Sequence, residues 1–451
     1  MSLPWLSDPR RPLTSPREIP KLEAWFDALD PVSMLTGAGA TITDGGVVAL
    51  WSDKSGNSGV NCLVLPGAAS NSATTPHAAA FNVTDLDVRW HGRLNDYTPS
   101  ATQGLISKWT AGNASFQFRV STLGLLQLVV SADGTAATVI SSTAATGVSD
   151  YAAKHFRGTL DVDNGAGGYT ATFYISDNGT NWTQLGDPVV GGSTTSIFNG
   201  TRLIDVGGND AATYMAGVTY SVKLMANIGG SAVLDINFST SAKKLANNDT
   251  FVCATGQTVT LKSSGATGAR IAGERDYFQG TLASRGTYNA AGRYIATDGT
   301  DDYYKTPLYN LPQPVTLYAV LEQSSWTSGD YLFDGSASDT LALIQTTSTP
   351  QINLSAGSSV AANTDLATAT KALVTIVSNG ASSLVSINRL AATTGNAGAG
   401  VPNGLTLASK GTAGSYGNAR FYEIAVYRAA HDQATRHRFA RYVGKKWGFA
   451  V

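Results

Sequence analysis

The chain has 451 residues with 31 basic and 32 acidic side chains, giving a formal net charge of −1. Charged residues make up only 14%, glycine fills 48 positions, and the only glutamates are Glu18, Glu23, Glu274, Glu322 and Glu423. Bundles and coiled coils need far more Glu, Lys, Arg and Leu, so a mostly helical protein is excluded.

Residues 1–20 carry Pro4, Pro9, Pro12, Pro16 and Pro20. Proline fixes φ and removes a backbone donor, so this stretch reads as an extended arm. Trp5 and Leu6 in it suit an anchor, since a solvated tail gains nothing from exposing them. The start of the sequence has no 7–15-residue apolar segment of a secretory signal, and no run approaches the ~20 residues of a membrane helix. Cys62 and Cys253 cannot form a disulfide framework or a four-ligand zinc site. A soluble protein made in a reducing compartment is expected.

From Leu22 onward, strand-like runs alternate with turn signals about every ten residues. Examples are Leu125-Leu-Gln-Leu-Val-Val130 before Asp133-Gly134, Tyr169-Thr-Ala-Thr-Phe-Tyr-Ile175 before Asp177-Asn-Gly179, and Val315-Thr-Leu-Tyr-Ala-Val-Leu321. In Tyr220-Ser-Val-Lys-Leu224 the period of two places Tyr220, Val222 and Leu224 on one face. Many short strands with Gly/Asn/Asp turns predict an all-β chain of jelly-roll β-sandwiches.

An internal echo supports two copies. Ile204-Asp-Val-Gly-Gly208, a loop and Met215-Ala-Gly-Val-Thr-Tyr-Ser-Val-Lys-Leu224 are matched, about one sandwich later, by Leu405-Thr-Leu-Ala-Ser409, a loop and Gly417-Asn-Ala-Arg-Phe-Tyr-Glu-Ile-Ala-Val-Tyr427. Polar residues between Phe238 and Arg275 break the strand rhythm, which puts a first sandwich at 21–245 and a second at 246–451. The second ends in a helix over 431–447. Asp432 is placed to cap that helix, and Phe439, Val443 and Trp447 form its apolar stripe. Its cations suit a helix C-terminus.

Several strings carry a family resemblance. Tyr97-Thr-Pro-Ser-Ala-Thr-Gln-Gly-Leu-Ile-Ser-Lys-Trp109, Leu160-Asp-Val-Asp-Asn-Gly-Ala-Gly-Gly168 and Tyr294-Ile-Ala-Thr-Asp-Gly-Thr-Asp-Asp-Tyr303 resemble laminin-G/concanavalin A-like lectin modules. So does Phe421-Tyr-Glu-Ile-Ala-Val-Tyr427 followed by a helix ending in Lys446-Trp447-Gly448. Such modules are common in structural proteins of tailed bacteriophages. Ala24-Trp-Phe-Asp27 and Trp51-Ser-Asp-Lys-Ser-Gly-Asn57 usually precede the module that ends in that helix. That leaves open whether 21–60 packs on the second sandwich.

The resemblance implies a virion structural protein displayed on the particle surface and assembled in the host bacterial cytoplasm. As a tail or baseplate adhesin it would recognise a host surface glycan. A head decoration or fibre without glycan binding is the alternative, and a polysaccharide depolymerase is a third. Its expected partners are other virion proteins through the N-terminal arm, copies of itself in a symmetric oligomer, and host glycan. Nucleic acid is not among them, because neither the near-zero charge nor any basic stripe beyond the C-terminal helix offers a footprint.

Catalysis is not expected. Retaining glycanases need two carboxyls about 5–5.5 Å apart, which a strand supplies at i and i+2 or i+4. At Glu423 those positions are Ala425 and Tyr427. The five histidines, His77, His91, His155, His431 and His437, are scattered, and no P-loop or dinucleotide fingerprint occurs.

Asp161-Val-Asp-Asn-Gly165 reads as a turn in which Asp163 or Asn164 bonds its own backbone. Asp298-Gly-Thr-Asp-Asp302 clusters Asp298, Asp301 and Asp302 and is the better candidate for a cation, calcium by the resemblance. No other cofactor is expected. Asp177-Asn-Gly-Thr-Asn-Trp182 matches an Asp-box hairpin in which the Asp caps the turn and Gly179 takes positive φ. Trp90, Trp109, Trp326 and Tyr416 are the aromatic side chains that could stack on a sugar face.

Overall fold

The computed structural model describes residues 12–57, 59–208, 213–346 and 349–451. Trp5 and Leu6 lie outside them. The described residues contain four antiparallel sheets and one α-helix. They divide into two compact units, one of Val60–Glu274 and one combining the residues up to Gly59 with Arg275–Val451. Each unit has two sheets packed around a single apolar core, so the expected all-β fold of two jelly-roll sandwiches stands.

The expected division at 245/246 is corrected. Thr258–Lys262 pairs with Ser72–Thr75, and Arg270–Gly273 pairs with Asn61–Pro66, so residues 246–274 complete the sandwich begun at residue 60. Leu22–Asp27 pairs instead with Ala419–Tyr427, in register from Leu22↔Tyr427 to Asp27↔Glu423. The sandwich of 60–274 is thus an insertion within the other.

In each unit the echoed segments take the same place. Ile204–Val206 lies in one sheet and Ala216–Met225 lies mid-sheet in the other. Thr406–Leu407 and Ala419–Tyr427 repeat this arrangement. One detail departs from strict alternation. Ala216–Met225 shifts register against Leu86–Leu94 between Thr219 and Ser221. Val222 and Leu224 therefore enter the core, while Tyr220 joins a separate cluster with Cys62, Val64 and Val218.

The arm is not extended where it is described. Pro16–Glu18 forms a 3₁₀ turn capped by Ser15, with Pro16 at the first position, where its missing N–H is not needed. The helix spans Gln433–Trp447. Asp432 Oδ1 accepts from Thr435 N at 2.8 Å, and Gly448 at φ 67° closes the other end. Its buried stripe of Phe439, Val443 and Trp447 packs with Leu13, Ile19 and Trp25 on Tyr318, Tyr422 and Tyr427, on the far side of the sheet from the core. No helix among the described residues is long and apolar enough to cross a membrane.

Candidate functional site

The loop between Tyr294–Ala296 and Tyr304–Lys305, strands of different sheets, holds the acidic cluster. Thr297 anchors its start, donating Oγ1 to Gly417 O at 2.6 Å. Gly299 takes φ 75° and lies so near Asn418 that a Cβ would come within 2.8 Å of that residue's own Cβ. The tight turn folds Asp298 back. Its Oδ1 accepts from Thr300 N at 2.8 Å, and its N–H donates to Asp302 Oδ2 at 3.1 Å. Asp301 accepts from Ser284 Oγ at 2.9 Å.

One oxygen from each of Asp298, Asp301 and Asp302 lies within 4.8 Å of the others, with Asp298 exposed, Asp301 half-buried and Asp302 buried. Burial, reinforced by the charge of Asp298, pushes the Asp302 carboxyl up to about 7. Carboxyl oxygens are the ligand type that hard cations such as calcium take.

The structure brings Tyr416 to this loop. Its ring lies 5.9 Å from that of Tyr303, tilted by 38°, and both are half-buried. Burial raises the Tyr416 phenol, with Tyr303 and the charge of Asp301 adding to it. Tyr416 is held by a bridge to Tyr331, whose hydroxyl donates to Asp339 Oδ1 at 2.7 Å. Tyr303 directly follows Asp302 in the chain, whereas nothing in sequence spacing connects Tyr416 to the cluster. The link is Ala419–Tyr427, which pairs with Tyr294–Ala296 and carries the loop before it to the acidic loop.

The other aromatic candidates separate. Trp90 is only 1% exposed, stacks on Phe156 at 5.4 Å and donates to Thr219 Oγ1 at 2.9 Å. It is core packing and no sugar platform, because Leu86, Val88, Trp90 and Leu94 share the inward face of their strand. Trp109 is half-buried in the inserted sandwich just past Gln103–Lys108. Trp326 is half-buried in the unit that holds the acidic loop, and its Nε1 has no hydrogen-bond partner.

The remaining motifs resolve into structure. Asn164 Oδ1 accepts from Ala166 N and Gly168 N, which makes 161–165 the expected turn. The Asp-box assignment is corrected. Asn178 Oδ1, with acceptances from Thr180 N at 3.0 Å and Asn181 N at 2.9 Å, caps that turn. Asp177 points into solvent and pairs with Lys154. Gly179 does take positive φ, at 72°.

The glutamates are each engaged separately. Glu23 pairs with Arg275 and Arg428, Glu274 with Arg93, and Glu322 with Arg420. Glu18 accepts from Thr14 N at 2.7 Å. Glu423 has a carboxylate neighbour that sequence reasoning missed, Asp27, brought opposite by the pairing of chain ends. Lys446 Nζ lies 3.0 Å from Asp27 Oδ2 and 2.9 Å from Glu423 Oε2. Trp25, Tyr442 and Trp447 also donate to Glu423, so the pair ties helix and first strand to the sheet.

No family model matches the chain, and no curated protein does. Solved structures that align with it include mouse laminin alpha1 domains LG4-5, at 12% identity and TM-score 0.30, covering 89% of this chain and 94% of that one. A SAP-like pentraxin from Limulus polyphemus aligns at 14% identity and TM-score 0.27, covering 37% of this chain and 76% of its own. Trypanosoma rangeli sialidase in complex with sialic acid aligns at 11% identity and TM-score 0.32, covering 77% and 63%. At these identities and scores the likenesses assign no ligand and no activity.

Proposed function

We propose that the protein is a non-catalytic glycan-binding protein whose site is the Asp298–Asp301–Asp302 loop with Tyr416 and Tyr303. The observation that carries this reading is the convergence of three carboxyl oxygens within 4.8 Å beside a half-exposed pair of aromatic rings. A hard cation held by the carboxylates would order the loop and offer open coordination positions to sugar hydroxyls. The Tyr416 ring would take the apolar face of an uncharged sugar.

The resemblance of several strings to laminin-G-like modules, which are common in structural proteins of tailed phages, supports a finer reading. In it the protein is displayed on the virion surface of a tailed phage as a tail or baseplate adhesin, assembled in the host cytoplasm, oligomeric, and attached through residues 1–20. The test is a host-glycan array probed with the full chain in calcium and again in chelator. Calcium-dependent binding to an uncharged glycan, lost in Asp301→Asn and Tyr416→Ala, is the expected result; an array blank in calcium refutes it. Electron microscopy of particles separates tail from head, and density on the head without glycan binding would establish the decoration role instead. New reducing ends released from polysaccharide would overturn the non-catalytic assignment.

A further inference from the structure

The inserted sandwich carries two clefts of about 590 and 610 Å³ that share Thr74, Arg202, Leu203 and Lys262 and so form one groove. Its floor is the outward face of three neighbouring strands, Ile204–Val206, Ser72–Thr75 and Thr258–Lys262. On these, Ile204, Val206, Ala73, Val259 and Leu261 fill the core. Alternation turns Asp205, Ser72, Thr74, Thr260 and Lys262 outward. The register sets Thr260 opposite Thr74 and Thr74 opposite Asp205, with Lys262 opposite Ser72. Polar groups therefore cross the sheet in straight rows at the ~4.8 Å strand spacing.

The charges are uneven. Arg202 and Lys262 are cations of the groove, and Asp205 is the one acid among its described lining residues. That carboxylate is 7% exposed and accepts from Ser72 Oγ at 3.2 Å and from Arg202 at 3.4 Å, so it is largely satisfied from within. At the far end His77 has a buried Nδ1 with no hydrogen-bond partner. Four of its twenty lining residues, Ala69, Pro76, Leu203 and Tyr214, have apolar side chains, too few for a hydrophobic helix or peptide. Rows of hydroxyls under a net positive rim match a chain of hydroxylated rings that carries anionic groups.

We propose that this groove binds an acidic oligosaccharide in a site on the inserted sandwich that requires no metal ion. This goes beyond the cation-dependent site and stands independently of it. The test is calorimetry on the full chain in chelator, with oligosaccharides bearing uronate, sialate or sulfate groups and their uncharged counterparts. At least one acidic member is expected to bind, with affinity falling as salt rises. Lys262→Glu should weaken it about tenfold or more, and Thr260→Trp should block it by filling the floor. Both variants should keep the wild-type unfolding midpoint, and Asp301→Asn should bind as wild type, so failure of one site is distinguishable from failure of the other. The proposal is overturned if no acidic member binds in chelator, if the uncharged counterpart binds equally, or if both groove variants bind like wild type.

Discussion

Replacing Glu423 by alanine tests the anchoring of the C-terminal helix. The carboxylate is 1% exposed and accepts from Trp25 Nε1 at 2.8 Å, Tyr442 Oη at 2.9 Å and Trp447 Nε1 at 2.7 Å, besides its ion pair with Lys446. Each stranded buried donor costs about 1–3 kcal/mol. Removing one partner of a buried ion pair costs about 3–5 kcal/mol when the other charge is left alone. Lys446 keeps Asp27 at 3.0 Å, which moderates that second contribution. The three donors share one site and their losses are not additive, so the total falls at about 3–5 kcal/mol. Glu423→Gln keeps the volume and one acceptor oxygen and should lose about 1–2 kcal/mol. Urea unfolding followed by tryptophan fluorescence reads this directly, because Trp25 and Trp447 both donate to the carboxylate. A Glu423→Ala midpoint shift worth less than about 0.5 kcal/mol, the range of ordinary surface substitutions, would refute the reasoning.

Three other predictions concern pH and turns. Asp302 sits at about 7 when folded against an ordinary value of 3.8, so the native state holds an extra proton between these. Stability of its unit should therefore fall as pH rises from about 4 to 7 and then level off; Asp302→Asn should flatten that slope in urea midpoints measured against pH. The inserted sandwich should respond in the opposite sense. His91 and His155 stack at 3.6 Å, and burial with the neighbouring His155 lowers His91 to about 4, so stability present above pH 6.5 should be lost as pH falls toward 4. His91→Phe should reduce that acid lability. At the hairpin after Thr170–Ser176, Asn178→Ala should cost about 1 kcal/mol by stranding two turn N–H groups, whereas Asp177→Ala should leave the unfolding midpoint unchanged.

Local structure was legible in the sequence because local rules govern it. The Asp432 cap, the Phe439/Val443/Trp447 stripe and the strand Leu125–Val130 each follow from periodicity and capping within a few residues. What failed depends on distant pairing. Leu22–Asp27 finds its partner in Ala419–Tyr427, and Trp25 meets Glu423 across 398 positions, a contact no window of sequence contains. The same non-locality hid the end of the inserted sandwich at Glu274, the Asp27–Lys446–Glu423 tie and the approach of Tyr416 to Asp301, although the strings at 24–27 and 51–57 had left the packing of 21–60 on the second sandwich open. Tyr220 failed for a different reason. A single register shift moves it to another cluster, and alternation has no way to anticipate an added residue. The Asp box failed through near-equivalence, since Asp177 and Asn178 are both competent turn acceptors and only backbone geometry chooses between them. The acidic loop was legible because Asp298, Asp301 and Asp302 lie close together in the sequence, but the grading of their burial was not.

The glycan-binding role rests on the acidic loop taking up a cation. Calorimetric titration of calcium into the full chain above pH 7, repeated below it and with Asp301→Asn, measures this most directly. Binding is expected at one site per chain in this loop and absent in the variant. Below about 7 it should weaken by roughly tenfold per pH unit, because Asp302 must release its proton to bind. Absence of calcium binding by the wild-type chain above pH 7, or equal binding by Asp301→Asn, would contradict it.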